Sequence, residues 1–259
     1  MSDHVDQVCS KQRRLAFRSE AKYHVPNKLE LVHGDICGPV TPATPSGNKL
    51  FLLLVDDLSR YMWLMLLSSK DQAAGAIKRF KACAEAEAGR RMRTLRTDRG
   101  GEFTAHTFAE HCAEQGIQRH LTAPYTPQQN GVVERRNQTV MGMARSMMKA
   151  KSLPGWFWGE AVNTAVFLLN RAPTQSVAGK TPFEVWHGVK PPVHFLRTFG
   201  CVAHVKNGSQ RLAKLDDRST PMVFVGYEAG TKAYRFFNPA LRLVHVSRDA
   251  VFEQERSWE

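Results

Sequence analysis

A change in hydrophobic period along residues 28–188 constrains the fold most strongly. Segments 29–36, 50–55 and 61–67 alternate or are wholly apolar over short stretches, as is typical of β-strands. The short gaps between them predict an antiparallel meander. After residue 71, apolar residues recur every three or four positions, which predicts a helix ended by Gly89.

Strand-like and helix-like segments then alternate. We predict strands over 92–98 and 117–122, with a helix over 104–115 between them. A long helix begins near Gly131, where Val133, Val140, Ala144 and Met147 form an apolar stripe. Helices over 156–171 and 182–186 follow. Three antiparallel strands followed by alternating strands and helices predict an α/β fold with a mixed five-stranded sheet and helices on both faces.

From about residue 199 the pattern becomes purely β-like. Short segments are separated by Gly, Asn and Pro turns, namely 201–205, 222–227, 233–237, 243–246 and 250–252. This spacing predicts a small all-β barrel. We therefore expect two folded domains, at 24–190 and 196–256, after a polar stretch at 1–23.

The charge of the chain points to a polyanionic partner. Lys and Arg number 36 against 24 Asp and Glu, giving a net charge of +12 and a pI near 9.7. Nucleic acid is the commonest such partner. The longest apolar run is far shorter than the ~20 residues that cross a bilayer, and no signal peptide is visible. We therefore expect no membrane association.

Three acids stand where the predicted architecture can bring them together. Asp35 closes the first strand, Asp98 closes the fourth, and Glu134 lies in the first turn of the long helix. Clustered carboxylates repel each other unless a cation neutralises them. Oxygen ligands suit Mg²⁺ or Mn²⁺, and two such ions about 3.5–4 Å apart assist phosphoryl transfer. We expect two ions at this site.

The segments around these acids resemble the integrase of copia-type LTR retrotransposons. They are LVHGDICGP at 31–39, LRTDRGGEF at 95–103 and PYTPQQNGVVERRN at 124–137, and 35 residues separate Asp98 from Glu134. The resemblance implies a ribonuclease-H-like core that binds two divalent metal ions through Asp35, Asp98 and Glu134. It also implies 3′-end processing and strand transfer of element DNA into target DNA.

The resemblance runs from about residue 22 to residue 252. Segments 196–201 and 246–252 are similar to the Src-homology-3-like (SH3-like) barrel that follows the integrase core in a Gag-Pol polyprotein. A complete relative carries a His/His/Cys/Cys zinc module upstream, whereas here only Cys9 lies at that end without a second Cys at ligand spacing. We therefore expect no zinc site, and we interpret 1–23 as a disordered remnant of that module.

Basic residues near the acids are candidates for DNA contacts. Five arginines crowd positions 90–99, and the long helix carries five bases around Glu134, with Lys151 as the last. Such residues neutralise backbone phosphates. The predicted DNA-binding residues are Arg96, Arg99, Gln128, Asn130, Arg135, Arg136, Asn137, Arg145 and Lys149.

Two other functions remain open at this stage. A catalytically silent DNA-binding remnant or domesticated protein lacks joining activity, and a structure-specific nuclease needs the same acids. We interpret Asp56 and Asp57 as a turn rather than a metal pair. An active integrase joins two DNA ends, which implies a homo-oligomer on DNA, and by analogy it acts in the nucleus.

Overall fold

The computed structural model describes residues 25–121, 130–207 and 217–258. Its first sheet has the strand order β3-β2-β1-β4-β5. Strands β1 to β3 pair antiparallel, whereas β4 and β5 continue the sheet in parallel with β1. The strands are β1 (Leu31–Cys37), β2 (Leu50–Asp56), β3 (Met62–Leu67), β4 (Thr94–Thr97) and β5 (Gln118–Leu121). The predicted meander and mixed sheet are confirmed.

Helices connect and cover these strands. They are α1 (Gln72–Ala88), α2 (Gly101–Thr104), α3 (His106–Glu114), α4 (Gly131–Ala150), α5 (Trp158–Leu169) and α6 (Pro182–His187). The helix predicted over 104–115 is present as α3, and the short helix α2 before it was not predicted; the extended backbone of Ala105 separates the two. None of the helices in the described parts of the chain is long and apolar enough to cross a membrane.

Strand β2 explains why the sheet needs helices on both faces. All seven of its residues are buried, so their side chains face apolar neighbours on both sides. Leu52 and Leu54 pack in a cluster with α1 and α3, whereas Phe51 and Leu53 pack in a second cluster with α4 and α5. Helix α4 thus lies on the face of the sheet that carries Phe51 and Leu53, opposite α1.

The second sheet is entirely antiparallel. Its strand order is β10-β6-β7-β8-β9, and an aromatic cluster around Phe224 packs inside it. Its strands are β6 (Cys201–Lys206), β7 (Ser219–Tyr227), β8 (Tyr234–Asn238), β9 (Leu243–Ser247) and β10 (Ala250–Ser257). This arrangement fits the predicted SH3-like barrel.

Helix α5 packs directly against β7 of the second sheet. The Thr164 hydroxyl donates to the Val225 carbonyl at 3.2 Å. A Cβ on Gly226 would lie 2.6 Å from the same hydroxyl, and Gly226 has a φ of +138°, so only glycine fits this close approach. The apolar cluster under α5 includes Val223 of the second sheet. One hydrophobic cluster therefore extends across the junction between the two sheets.

Polar contacts reinforce the same junction. The Arg235 guanidinium donates two hydrogen bonds to Glu160 on α5, at 2.8 and 3.1 Å, and one to Glu228 at 2.8 Å. We name this group the Arg235 bridge. Lys151 is buried, and its ammonium donates to the Gln254 carbonyl at 2.8 Å. The expectation that Lys151 belongs to the basic face of the long helix is therefore wrong, because β10 covers it.

Candidate active site at the ends of strands β1 and β4

The parallel pairing of β1 and β4 brings two of the predicted acids level. His33 on β1 pairs with Arg96 on β4, and two residues further along each strand lie Asp35 and Asp98. Asp98 directly follows the last residue of β4, and its carboxylate accepts a hydrogen bond from the Gly100 amide at 3.1 Å. The chain thus turns sharply away and leaves both acids at the same sheet edge.

Helix α4 brings the third acid to this edge. Glu134 lies in the first helical turn. One turn later, the Asn137 side-chain amide donates to the Asp35 carboxylate at 2.7 Å. Residues three apart on a helix share a face. The Asn137 bond therefore fixes the start of α4, and Glu134 with it, beside Asp35.

The electrostatics of Asp35 show that the acids interact. Burial and the negative charge of Asp98 raise the pKa of Asp35 to about 6, and Glu134 contributes in the same direction. The hydrogen bond from Asn137 opposes this rise because it favours the charged carboxylate. The site concentrates negative charge that a bound cation would neutralise.

The donor chemistry of the site suits hard divalent cations. All three acids offer oxygen ligands, which Mg²⁺ and Mn²⁺ prefer. Within the described ranges, no three His, Cys, Asp or Glu side chains are gathered closely enough to form a ready ligand set. The oxygen donors of the three acids nevertheless match the ligand type that these ions prefer.

Some of the predicted DNA-binding residues lie beside the acids. Arg99 and Arg135 are exposed next to Asp98 and Glu134, respectively, and Arg96 is half-buried on β4. Arg136 is also half-buried, with its guanidinium 3.4 Å from the Thr174 hydroxyl. Arg99 and Arg135 thus adjoin two of the acids in sequence, whereas the guanidinium of Arg136 lies toward Thr174.

Other predicted residues are placed differently. Asn130 is only 2% exposed and Asn137 bonds to Asp35, so both amides face the protein interior. Gln128 lies outside the described residues. Arg145 and Lys149 are exposed on α4, but at 1.5 Å per residue they stand about 16 and 22 Å along the helix from Glu134.

The arginine cluster at 90–99 divides into two groups. Arg96 and Arg99 lie at the end of β4 near the acids, whereas Arg90, Arg91 and Arg93 precede the strand. The prediction that all five arginines lie near the acids is therefore wrong for these three, because they lie before the start of β4. Sequence proximity does not imply spatial proximity when a strand separates the residues.

A buried polar group that the sequence analysis missed lies two residues before Asp35 on the same face of β1. His33 is 1% exposed, and its Nε2 lies 2.9 Å from the Asp57 carboxylate, which also accepts from Arg60 at 2.9 Å. Burial lowers the pKa of His33. Asp56 and Asp57 do form the predicted β2–β3 turn. The sequence does contain a sign of this, because residues two apart on a strand, such as His33 and Asp35, point to the same face of the sheet.

Comparisons with known proteins agree with this architecture. Residues 26–127 match the model of the integrase core domain, and residues 201–259 match that of the retroviral polymerase SH3-like domain. The chain is similar to the Retrovirus-related Pol polyprotein from transposon TNT 1-94 of Nicotiana tabacum, with 41% identity over 94% of this chain and 18% of the relative. The transposon RE1 polyprotein of Arabidopsis thaliana is 29% identical over 96% of this chain and 17% of its own length.

A solved structure shares the fold. It is a chain of the cryo-EM structure of the simian T-cell lymphotropic virus intasome in complex with PP2A regulatory subunit B56 gamma, with a TM-score of 0.51. It is 19% identical and is matched over 87% of this chain and 77% of its own length. The chain spans less than a fifth of the curated polyproteins named above. The chain thus carries an integrase core domain followed by a retroviral SH3-like domain, and over nearly its whole length it is similar to part of plant retrotransposon Pol polyproteins.

Proposed function

We propose that this chain catalyses the integration of element DNA into target DNA, using Mg²⁺ or Mn²⁺. The observation that supports this most directly is the meeting of three chain segments at one sheet edge. Asp35 and Asp98 are level on parallel strands, and the Asn137 hydrogen bond holds the helix that carries Glu134 against them. Their sequence context is that of an integrase.

The reaction consists of two phosphoryl transfers. In 3′-end processing, a water oxygen bonds to a phosphorus near the element end and the bond from that phosphorus to the 3′-oxygen breaks. The water gives up a proton, and the leaving 3′-oxygen takes one to become a free 3′-hydroxyl. In strand transfer, that 3′-hydroxyl bonds to a phosphorus of the target strand. The target's own 3′-oxygen leaves and takes a proton. The joining step requires no external energy source, because one phosphodiester replaces another.

The residues have distinct roles in this proposal. Asp35, Asp98 and Glu134 would hold the divalent ions, which would supply stabilisation of the charge on the attacking and leaving oxygens. Asn137 orients the Asp35 carboxylate through its 2.7 Å hydrogen bond. Arg99 and Arg135, next in sequence to two of the acids, bind the phosphates that flank the reacting bond.

Joining both ends of an element requires two active sites, so we further propose that the chain works as a homo-oligomer on DNA. Its target is chromosomal DNA, which places its action in the nucleus. The domain limits of 24–190 for the core and 196–256 for the barrel belong to the same proposal. The polar stretch at 1–23, predicted from the sequence to be a zinc-module remnant, lies outside the described residues.

Substitution of Glu134→Gln tests the proposal, because it removes a charge with almost no change in size. We expect it to abolish the joining of short labelled duplexes in Mg²⁺ or Mn²⁺, while DNA binding and the thermal unfolding temperature stay unchanged. Glu110→Gln, at an exposed position on α3, is the matched control and should retain joining. Joining by the Glu134→Gln variant would refute the role of Glu134. DNA binding without joining by the unmodified chain would favour a silent DNA-binding protein.

A further inference from the structure

A basic hollow lies at the end of the first sheet that is remote from the acids. It has a volume of about 150 Å³. Its lining residues come from the segment before β1 and from the segment between α1 and β4, and they are Asn27, Lys28, Glu30, Arg90, Arg91 and Arg93. Four of these six side chains are cationic and one is anionic. The hollow therefore carries a net positive charge.

The backbone fixes the two segments that build the hollow. The Arg93 amide donates to the Leu29 carbonyl at 2.9 Å, which ties the segment before β4 to the segment before β1. Lys28 donates to the Trp186 carbonyl at 2.6 Å, so its ammonium is held in place and keeps further donors. The hollow is thus supported by the sheet itself.

Three guanidinium groups in the hollow lack internal partners. Within the part of the chain that the structure describes, the side chains of Arg90, Arg91 and Arg93 make no hydrogen bond or ion pair. Glu30, the acid that lines the hollow, makes no ion pair with them and accepts from the Asn27 amide at 3.0 Å, so its charge offsets only part of theirs. Their donors therefore remain available to a ligand.

The C-terminus of the nearby helix α1 offsets only part of this positive charge. Helix α1 ends at Ala88, just before the arginines, and a helix C-terminus carries roughly half a negative elementary charge. Glu85 is also close, but its carboxylate already accepts from Lys81 at 2.9 Å and from the Met92 amide at 2.8 Å. The charge of Arg91 is among the causes that lower the pKa of Glu85, so Glu85 offsets part of the charge of Arg91, and the hollow as a whole stays positive.

We propose that this hollow binds a backbone phosphate of DNA, as a second site separate from the acids. Guanidinium groups present forked donors that match phosphate oxygens, and a phosphate group fits in about 150 Å³. Arg93 precedes Asp98 by five residues, or about 16 Å of extended strand. The phosphate in the hollow is therefore distant from the reacting bond. The inference rests on DNA as the partner in the proposed function.

The test compares the salt dependence of DNA binding in two double variants of the full chain. Arg90→Ala with Arg91→Ala removes two charges from the hollow. Lys78→Ala with Arg79→Ala removes two charges from an exposed pair on α1 and serves as the matched control. Binding of a fluorescent duplex is measured by anisotropy between 50 and 200 mM salt, and circular dichroism checks that each variant is folded.

We expect the hollow variant to lower the slope of log K against log salt by roughly 0.9 for each phosphate that it no longer neutralises. The control should leave the slope unchanged. Glu30→Gln should strengthen duplex binding, because it removes the negative charge from the hollow. An equal change in both double variants would show a general charge effect and overturn the inference.

Two further measurements separate the possible sources of failure. Inorganic phosphate that perturbs the arginine side-chain NMR signals, together with an unchanged duplex salt slope, would indicate a free-anion site and overturn the inference. Joining of DNA ends with an unchanged salt slope in the hollow variant would refute this inference alone. A reduced slope without joining by the unmodified chain would support the hollow and refute the proposed integrase activity.

Discussion

The hydrogen bond between Asn137 and Asp35 leads to the sharpest functional prediction. Asn137→Ala removes a 2.7 Å bond to a half-buried carboxylate at a position that is itself only 6% exposed. Hydrogen bonds to charged groups contribute about 1.5–3 kcal/mol. Because each 1.4 kcal/mol is tenfold, the loss corresponds to a decrease of roughly 10- to 150-fold in the joining rate if the bond acts only through the position of Asp35.

The assay measures the rate of strand transfer between short duplexes as a function of Mg²⁺ concentration. Groups that orient metal ligands typically affect metal affinity or activity by about 10–100-fold, so the midpoint of the Mg²⁺ curve should also rise. Gln138→Ala, at the adjacent exposed position, is the control and should leave both quantities unchanged. A purely structural role would lower the folded fraction without moving the midpoint.

Comparing the severity of two substitutions at Asn137 tests the positioning role. Asn137→Asp adds a further carboxylate beside Asp35, to those of Asp98 and Glu134. In the absence of metal it should therefore be more harmful than Asn137→Ala at low Mg²⁺ concentration. An Asn137→Ala variant with normal rate and normal Mg²⁺ dependence would contradict the positioning role. So would an Asn137→Asp variant that exceeds the alanine variant at low Mg²⁺ concentration.

Two predictions concern the junction between α5 and the second sheet. Gly226→Ala forces a methyl group to within 2.6 Å of the Thr164 hydroxyl at a φ of +138°, and denaturant unfolding should show a loss of about 2–4 kcal/mol. Gly230→Ala, with a φ of +70° and open space around it, should cost only about 1–2 kcal/mol, and equal losses would contradict the close-approach argument. Arg235→Met removes the cation of the Arg235 bridge and should cost about 1–2 kcal/mol, below the 3–5 kcal/mol of a fully buried pair because the bridge is partly exposed. Arg235→Lys should recover part of this loss, and full stability of the Met variant would refute the contribution of the bridge.

Local pattern was sufficient to predict most elements of the first sheet. A run of apolar residues at 50–55 predicted a buried strand, and β2 is buried on both faces because α1 and α4 lie on opposite sides of the sheet. Gly89 ended the first helix as predicted, with its backbone in the left-handed region. Such features depend on neighbours within a few residues, so they are visible in the sequence.

Contacts between distant segments were not visible in the same way. Lys151 follows an amphipathic helix and resembles its exposed bases in type, but β10, about 100 residues later, covers it. Asn137 was expected to contact DNA, whereas its amide faces Asp35. In both cases the side-chain environment is created by an element that local periodicity does not specify.

The meeting of Asp35 and Asp98 follows from the same change in period that determines the fold. Strands β1, β2 and β3 alternate in direction, so β3 runs parallel to β1. A further parallel strand requires a crossover of a dozen or more residues, and the 17-residue helix α1 supplies it between β3 and β4. Only with this crossover do β1 and β4 end at the same edge, with their acids level. An antiparallel β4 would place Asp98 at the opposite end of the sheet, so helix α1, which contributes none of the three acids, determines where the candidate active site forms.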